Sequence, residues 1–173
     1  FGRRLIFDLL NMIGKAVVAG NVRRSSEIGL SASLEACDYK SWTPENEYRQ
    51  GWAWSSNNSL VVPDLPEAEY AKLMQIVVEK IGNTGEPGLF FIDNARKYGR
   101  VADGVTWADL RAAGTNPCGE ITLESAETCN IAECYLPNFD TMDPEIIGRS
   151  IERIVMYCCL VSEIGRASCR ERV

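Results

Sequence analysis

Thr115-Asn116-Pro117-Cys118-Gly119-Glu120-Ile121 sets one thiol between a proline and a glycine. Pro117 locks its own φ and restrains the residue before it, while Gly119 lets the backbone turn or be approached closely. Such a loop can hold a thiol at a fixed point in a cavity. Asn116 and Glu120 each lie two residues from Cys118, and on an extended loop residues two apart point the same way. One face is then expected to present an amide, a thiol and a carboxylate. The amide can orient a hydroxyl and the carboxylate can take a proton. A free cysteine is also often a small core hydrophobe, and on the pattern alone that bland reading is the more frequent one.

The segments around the loop alternate between strand-like and helix-like patterns. Leu89-Phe90-Phe91-Ile92 is a short apolar run, the pattern of a strand buried on both faces, and Asn94 to Tyr98 reads as a helical turn. Before it, Pro66 opens a helix through about Ile81, with Tyr70, Leu73, Met74, Val77 and Val78 on one face and Gly82-Asn83 as the stop. In Trp52 to Val62 a polar block precedes Leu60-Val61-Val62, as in a strand end that presents side chains to a site. Asn57 and Asn58 are its ligand candidates; they serve equally as strand caps. Residues 37–51 are polar and turn-forming, hence a loop or an irregular region. Arg24 to Leu30 reads as a strand. Arg4 to Ala19 reads as a helix with Leu5, Leu9, Met12, Ile13 and Val17 as its apolar positions. Downstream, Cys129 to Leu136 reads as a strand with Cys129 and Cys134 on opposite faces. Asp143-Pro144 opens a last helix in which Cys158-Cys159 pack. Strands alternating with helices predict an α/β architecture.

Composition narrows the chemistry. The chain has 173 residues, 46% hydrophobic and 24% charged, the balance of a globular protein. No apolar run is long enough to span a bilayer. A net charge of −6 argues against a nucleic-acid surface. Histidine is absent, which excludes Ser-His-Asp and Cys-His catalysis within the chain and any zinc site that needs histidine. Seven cysteines, an odd and irregularly spaced set without an export signal, point to free thiols in a reducing cytoplasm. No C-x-x-C pair exists to build a zinc site, so no metal ligands are assigned. A cysteine-rich metal module is the alternative from another class, and a piece with no stable fold of its own is a third. Gly20-Asn21-Val22-Arg23-Arg24-Ser25-Ser26 carries amides, guanidinium groups and hydroxyls that suit phosphates, although it is no Walker loop.

Residues 163–173, Glu163 to Val173, read like a translated sequencing adapter rather than native sequence, which puts the native boundary near Ser162. Removing them takes Cys169 away and leaves six cysteines. The first residue is not a methionine, which fits a start in mid-protein.

Taken together, the strings from Gly14 to Ser25, Ser56-Asn57-Asn58-Ser59, Gly85-Glu86-Pro87-Gly88 with Asp93-Asn94-Ala95-Arg96, Thr115 to Ile121, and Glu127-Thr128-Cys129-Asn130-Ile131-Ala132-Glu133 resemble ribonucleotide reductases. The particular likeness is to the adenosylcobalamin-dependent ribonucleoside-triphosphate type. Their order and spacing match along nearly all of residues 1–162, and Asn-Pro-Cys-Gly-Glu with a cysteine eleven residues on is the most specific.

The resemblance implies part of a ten-stranded α/β barrel with the Cys118 loop threaded through its centre, and reduction of ribonucleotides to 2′-deoxyribonucleotides. It implies roles: Cys118 as the thiyl-radical site, Glu120 as the base on the 3′ hydroxyl, Asn116 as a ribose positioner, and Cys129 as one thiol of the redox pair. It implies that Asn21, Arg23, Arg24 and Ser25 belong to the loop joining an effector site to the substrate base. Adenosylcobalamin, a deoxynucleotide or ATP effector and thioredoxin or a similar dithiol are the implied cofactor and partners. The second redox thiol is expected upstream and the cobalamin region downstream, so the chain alone is expected to be inactive. A diphosphate-reducing subgroup is the alternative within the family.

Overall fold

The computed structural model describes residues 2–19, 26–41, 43–99, 104–105, 107, 109–140 and 142–170. Asn21, Arg23, Arg24 and Ser25 lie outside them. The chain divides into two compact units, Phe1–Ser125 and Ala126–Val173.

The first unit is built on three parallel strands, β1 (Ile28–Ser31), β2 (Asn57–Val62) and β3 (Gly88–Phe91), in the order β1-β2-β3. Ile28 pairs with Asn57 and Ser59 with Gly88. Side chains alternate along each strand, so this register sorts the sheet into two faces. Ile28, Leu30, Asn57, Ser59, Val61, Gly88 and Phe90 share one; Gly29, Ser31, Asn58, Leu60, Val62, Leu89 and Phe91 share the other.

The second of these faces carries the helices. Helix α2 (Glu35–Asp38) and helix α3 (Glu67–Thr84) bring Cys37 and Val77 against Leu60 and Val62. Each of these side chains is buried, and full burial of a Val or Leu is worth about 1.5–3 kcal/mol. Gly82-Asn83 does not stop α3, which runs on to Thr84 and ends on Gly85 at φ +77. The left-handed cap favours a residue without a Cβ, and Gly85 takes it, its N–H closing on the Ile81 carbonyl at 2.8 Å. Strand β3 pairs only with β2 among the described strands, and Leu89, Phe90 and Phe91 are half-buried instead of buried on both faces. The short helix α4 (Ile92–Tyr98) follows it directly.

Helix α1 (Arg3–Val18) forms as its periodicity predicts, but it buries a different stripe. Phe7, Asn11 and Gly14 face inward, while Leu5, Leu9, Met12, Ile13 and Val17 stay exposed. The inward stripe is chosen by fit. Phe7 meets the edge of Tyr39 at 5.2 Å between ring centroids, Asn11 accepts from Ser56 Oγ at 2.8 Å, and Gly14 lets the Ser55 carbonyl come close.

Residues 37–51 are irregular apart from short helical turns, as expected, and they are packed into the unit. Tyr39, Lys40, Asn46 and Arg49 in this stretch are buried. Arg49 donates to both oxygens of Asp8, at 2.8 and 2.9 Å, and Lys40 donates to Glu86 at 2.6 Å and to the Ser56 carbonyl at 2.5 Å. The polar composition of the stretch serves a buried ionic network.

The sheet's other face is met by a hairpin of two short strands, β4 (Gly114–Thr115) and β5 (Thr122–Leu123). The described strands form an α/β sheet and a hairpin; they do not close into a barrel. In the second unit, residues 127–135 are irregular, not the strand expected over Cys129 to Leu136, and among the described residues of that unit no strand is there to pair with them. A long helix, α5 (Pro144–Arg170), completes it and runs unbroken across Ser162.

Candidate active site

Residues 116–121 cap the β4–β5 hairpin. The Asn116 carbonyl accepts the Gly119 N–H at 3.0 Å, closing a turn with Pro117 and Cys118 at its centre. Proline is preferred after the first residue of such a turn, because its φ is already set. Gly119, at φ +87, takes the left-handed position that would strain any other residue. The turn replaces the extended loop expected from the sequence. Alternation across Cys118 is therefore lost: Asn116 is buried, whereas Cys118 and Glu120 are exposed.

Cys118 stands at a polar cleft of about 380 Å³, with Asn57, Ser59, Glu86, Gly88 and Pro117 among its walls. Asn57 Nδ2 donates to the Pro117 carbonyl at 2.8 Å. The two asparagines of β2 therefore part. Asn57 faces the loop, while the Asn58 amide turns to the helix side, where its Oδ1 accepts from Ser56 Oγ at 3.3 Å. Asn58 borders the cleft too, yet it is 1% exposed and its Nδ2 has no hydrogen-bond partner.

Glu86 stands in the sequence only within the Gly85-Glu86-Pro87-Gly88 string, with no role assigned, and the fold brings it to the cleft wall from the turn before β3. Lys40 holds one carboxylate oxygen; the other is buried without a partner. A second cleft, about 190 Å³, adjoins the first through their shared wall residue Asn57 and contains Ser26, Glu27, Trp54 and Ser55. Burial raises the Glu27 carboxyl above its ordinary value, and Glu27 Oε2 and Ser55 Oγ lack partners. Sequence reading missed Glu27 as well, because isolated acidic residues have no pattern.

The other thiols are placed differently. Cys37 is buried in the apolar cluster on the helix side, and burial first, then the Asp38 charge, push its thiol up. Cys129 and Cys134 are half-buried in the second unit, and like Cys37, Cys118, Cys158 and Cys159 they are free thiols. Among the described residues no three Cys, Asp or Glu side chains gather as a metal would need. No helix among them is long and apolar enough to cross a membrane.

Fold and site together define an α/β domain that presents one braced, exposed thiol over a polar cleft. The family model described as ribonucleotide reductase, barrel domain, matches residues 40–170. The chain belongs to the ribonucleotide reductase family. It is 42% identical over 129 residues to the adenosylcobalamin-dependent ribonucleoside-triphosphate reductase of Lactobacillus leichmannii, a stretch that is 74% of this chain and 17% of that protein. It is 40% identical, over the same length and share of the chain, to the enzymes of that name from Lactobacillus helveticus and Levilactobacillus brevis, covering 16% of each. The chain thus spans about a sixth of the length of these relatives. No solved structure matches it.

Proposed function

We propose that this chain is part of the catalytic barrel of a ribonucleotide reductase, acting on ribonucleoside triphosphates, and that Cys118 is its hydrogen-abstracting thiol. The observation that carries the reading is the placement of Cys118: exposed, on a turn pinned at both ends, at a cleft whose volume lies in the range of small-ligand sites. In this reading Cys118, as a thiyl radical, takes the hydrogen from the 3′ carbon of the ribose and later returns it. Glu120 accepts the proton of the 3′ hydroxyl and Asn116 helps to hold the sugar. The 2′ hydroxyl leaves as water, and the two electrons come from Cys129 and a second thiol, which become a disulfide. Thioredoxin or a similar dithiol resets that pair, and a deoxynucleotide or ATP effector acts through the loop of Asn21, Arg23, Arg24 and Ser25. Free thiols of this kind suit the cytoplasm.

Adenosylcobalamin stands in the names of the relatives. A corrin ring system is far larger than either cleft, so the described residues do not make a site for it and none is assigned to it.

The test uses a full-length reductase carrying this segment. Cys118→Ser should abolish deoxynucleotide formation. Cys129→Ser should permit at most a single round with a dithiol reductant. Near-normal turnover by Cys118→Ser would overturn the reading.

A further inference from the structure

The Pro117–Cys118 peptide has one freedom that the hairpin does not remove. In a four-residue turn closed between its first carbonyl and last N–H, the central peptide can flip, and the two orientations are the two common turn types. The flip moves the carbonyl of the second residue, here Pro117, and changes the direction in which the third residue, Cys118, leaves the peptide plane. The bond from Asn116 to Gly119 survives either way. Cys118 adopts the unflipped form: the described non-glycine residues with positive φ are Trp107 and Ala126.

Asn57 acts on that carbonyl. Its Nδ2 lies 2.8 Å from Pro117 O, across 60 residues of sequence. Among the described residues this is the hydrogen bond that joins residues 116–121 to the parallel sheet. The anchor is firm at the Asn57 end. Strand β2 is bonded to a neighbour on each side, and the Asn57 N–H donates to the Glu27 carbonyl at 2.9 Å. A peptide unit is planar, so fixing its oxygen fixes the plane from which Cys118 departs.

We infer that Asn57 is a positioning residue for the reaction of Cys118: its amide latches the Pro117–Cys118 peptide in one orientation and so aims the thiol into the cleft. This rests on the proposed role of Cys118. It gives Asn57 a partner within the protein, in place of the ligand that the sequence pattern suggested. The 190 Å³ cleft is also lined by Asn57, so the latch residue borders both spaces.

The test compares Asn57→Ala with the near-isosteric Asn57→Asp, which cannot donate to a carbonyl when ionised, in a full-length reductase carrying this segment. Displacing a reacting group by about 1 Å can cost on the order of a hundredfold. Both variants should therefore lower kcat by roughly tenfold to a hundredfold while KM moves by less than about threefold. Independently of turnover, the rate at which iodoacetamide alkylates Cys118 in the substrate-free protein should change in both. Unchanged kcat and unchanged alkylation in both variants would overturn the latch. So would a rise in KM with kcat preserved, which would mark Asn57 as a substrate ligand. Asn57 is exposed, so neither variant should unfold the protein, and loss of the folded circular dichroism signal in both would make the residue merely structural. Turnover by Cys118→Ser would defeat the reductase reading instead, with the alkylation rates still reporting on the latch.

Discussion

Asn116 replaces its own backbone carbonyl. In the hairpin register, the Asn116 N–H donates to the Ile121 carbonyl at 3.1 Å. The return bond, from the Ile121 N–H, ends at 3.0 Å on Asn116 Oδ1. The main-chain carbonyl is thereby released to close the turn on Gly119. An asparagine at this position lets the strand pairing and the turn coexist, because its side-chain oxygen mimics a backbone acceptor.

That double use separates two roles by substitution. Asn116→Asp keeps an acceptor for the Ile121 N–H and removes the amine; Asn116→Ala removes both. Asn116→Ala should cost about 0.5–1.5 kcal/mol, the net worth of a hydrogen bond whose half-buried N–H loses its partner, and Asn116→Asp considerably less. If the amine also holds the ribose, Asn116→Asp should still raise KM. Urea unfolding and steady-state kinetics read the two effects apart, and equal stability losses in both variants would contradict the acceptor role.

Gly119→Ala tests the turn from its other end. The residue sits at φ +87, where a Cβ is strained by about 1–2 kcal/mol. The variant should lose stability by that amount and blunt the reactivity of Cys118. Cβ contact does not explain such a loss, because nothing lies within 4 Å of the added atom. An alanine variant as stable as the wild type, with the same thiol reactivity, would remove backbone strain as the reason for glycine here.

Local pattern revealed the long helices and the parallel strands but misjudged residues 129–136, which are irregular; distance in sequence hid the rest. The apolar periodicity from Pro66 to about Ile81 was enough for α3, and the Pro-Cys-Gly order was enough for a stiff loop, though not for the tight turn that it forms. The inward face of α1 was not legible, because Phe7, Asn11 and Gly14 are chosen by Tyr39, Ser56 and Ser55, which lie far along the chain. The packing of residues 37–51 was hidden for the same reason: the partners of Arg49 and Lys40 are 41 and 46 residues away. In the site, Cys118 announced itself by its neighbours. The place of Glu86 in the cleft wall and the Asn57–Pro117 bond had no local signal, since parallel pairing of β2 with β3 and the approach of the hairpin place them.

The Lys40–Glu86 pair should show the signature of a buried ion pair. Their side chains are 10% and 19% exposed. Removing one partner strands the other charge, at a cost of roughly 3–5 kcal/mol, whereas removing both restores much of it. Lys40→Met should therefore destabilise strongly, and Lys40→Met combined with Glu86→Gln should be more stable than Lys40→Met alone. Chemical denaturation of the four proteins gives the coupling. Additive losses would mean that the two groups do not depend on each other.

Asp8 provides a pH test whose sign is fixed by the structure. Burial alone would raise its carboxyl pKa, but hydrogen bonds from Arg49 and Tyr39, with the Arg49 charge, outweigh it and hold the value below 3.8. A depressed pKa in the folded state adds stability above the unfolded value, and that contribution disappears as pH falls through the folded value. Asp8→Asn leaves Arg49 buried beside a neutral amide, so it should destabilise the protein at pH 7 by a few kcal/mol, on the order of a broken buried pair. The gap should be constant down to about pH 4, where a free Asp begins to titrate, and should shrink below it as the wild type loses the same charge. Urea midpoints of both proteins at pH 7, 5 and 3 measure this directly. A gap that stays constant to pH 3 would mean that Asp8 acts through shape and not through its charge.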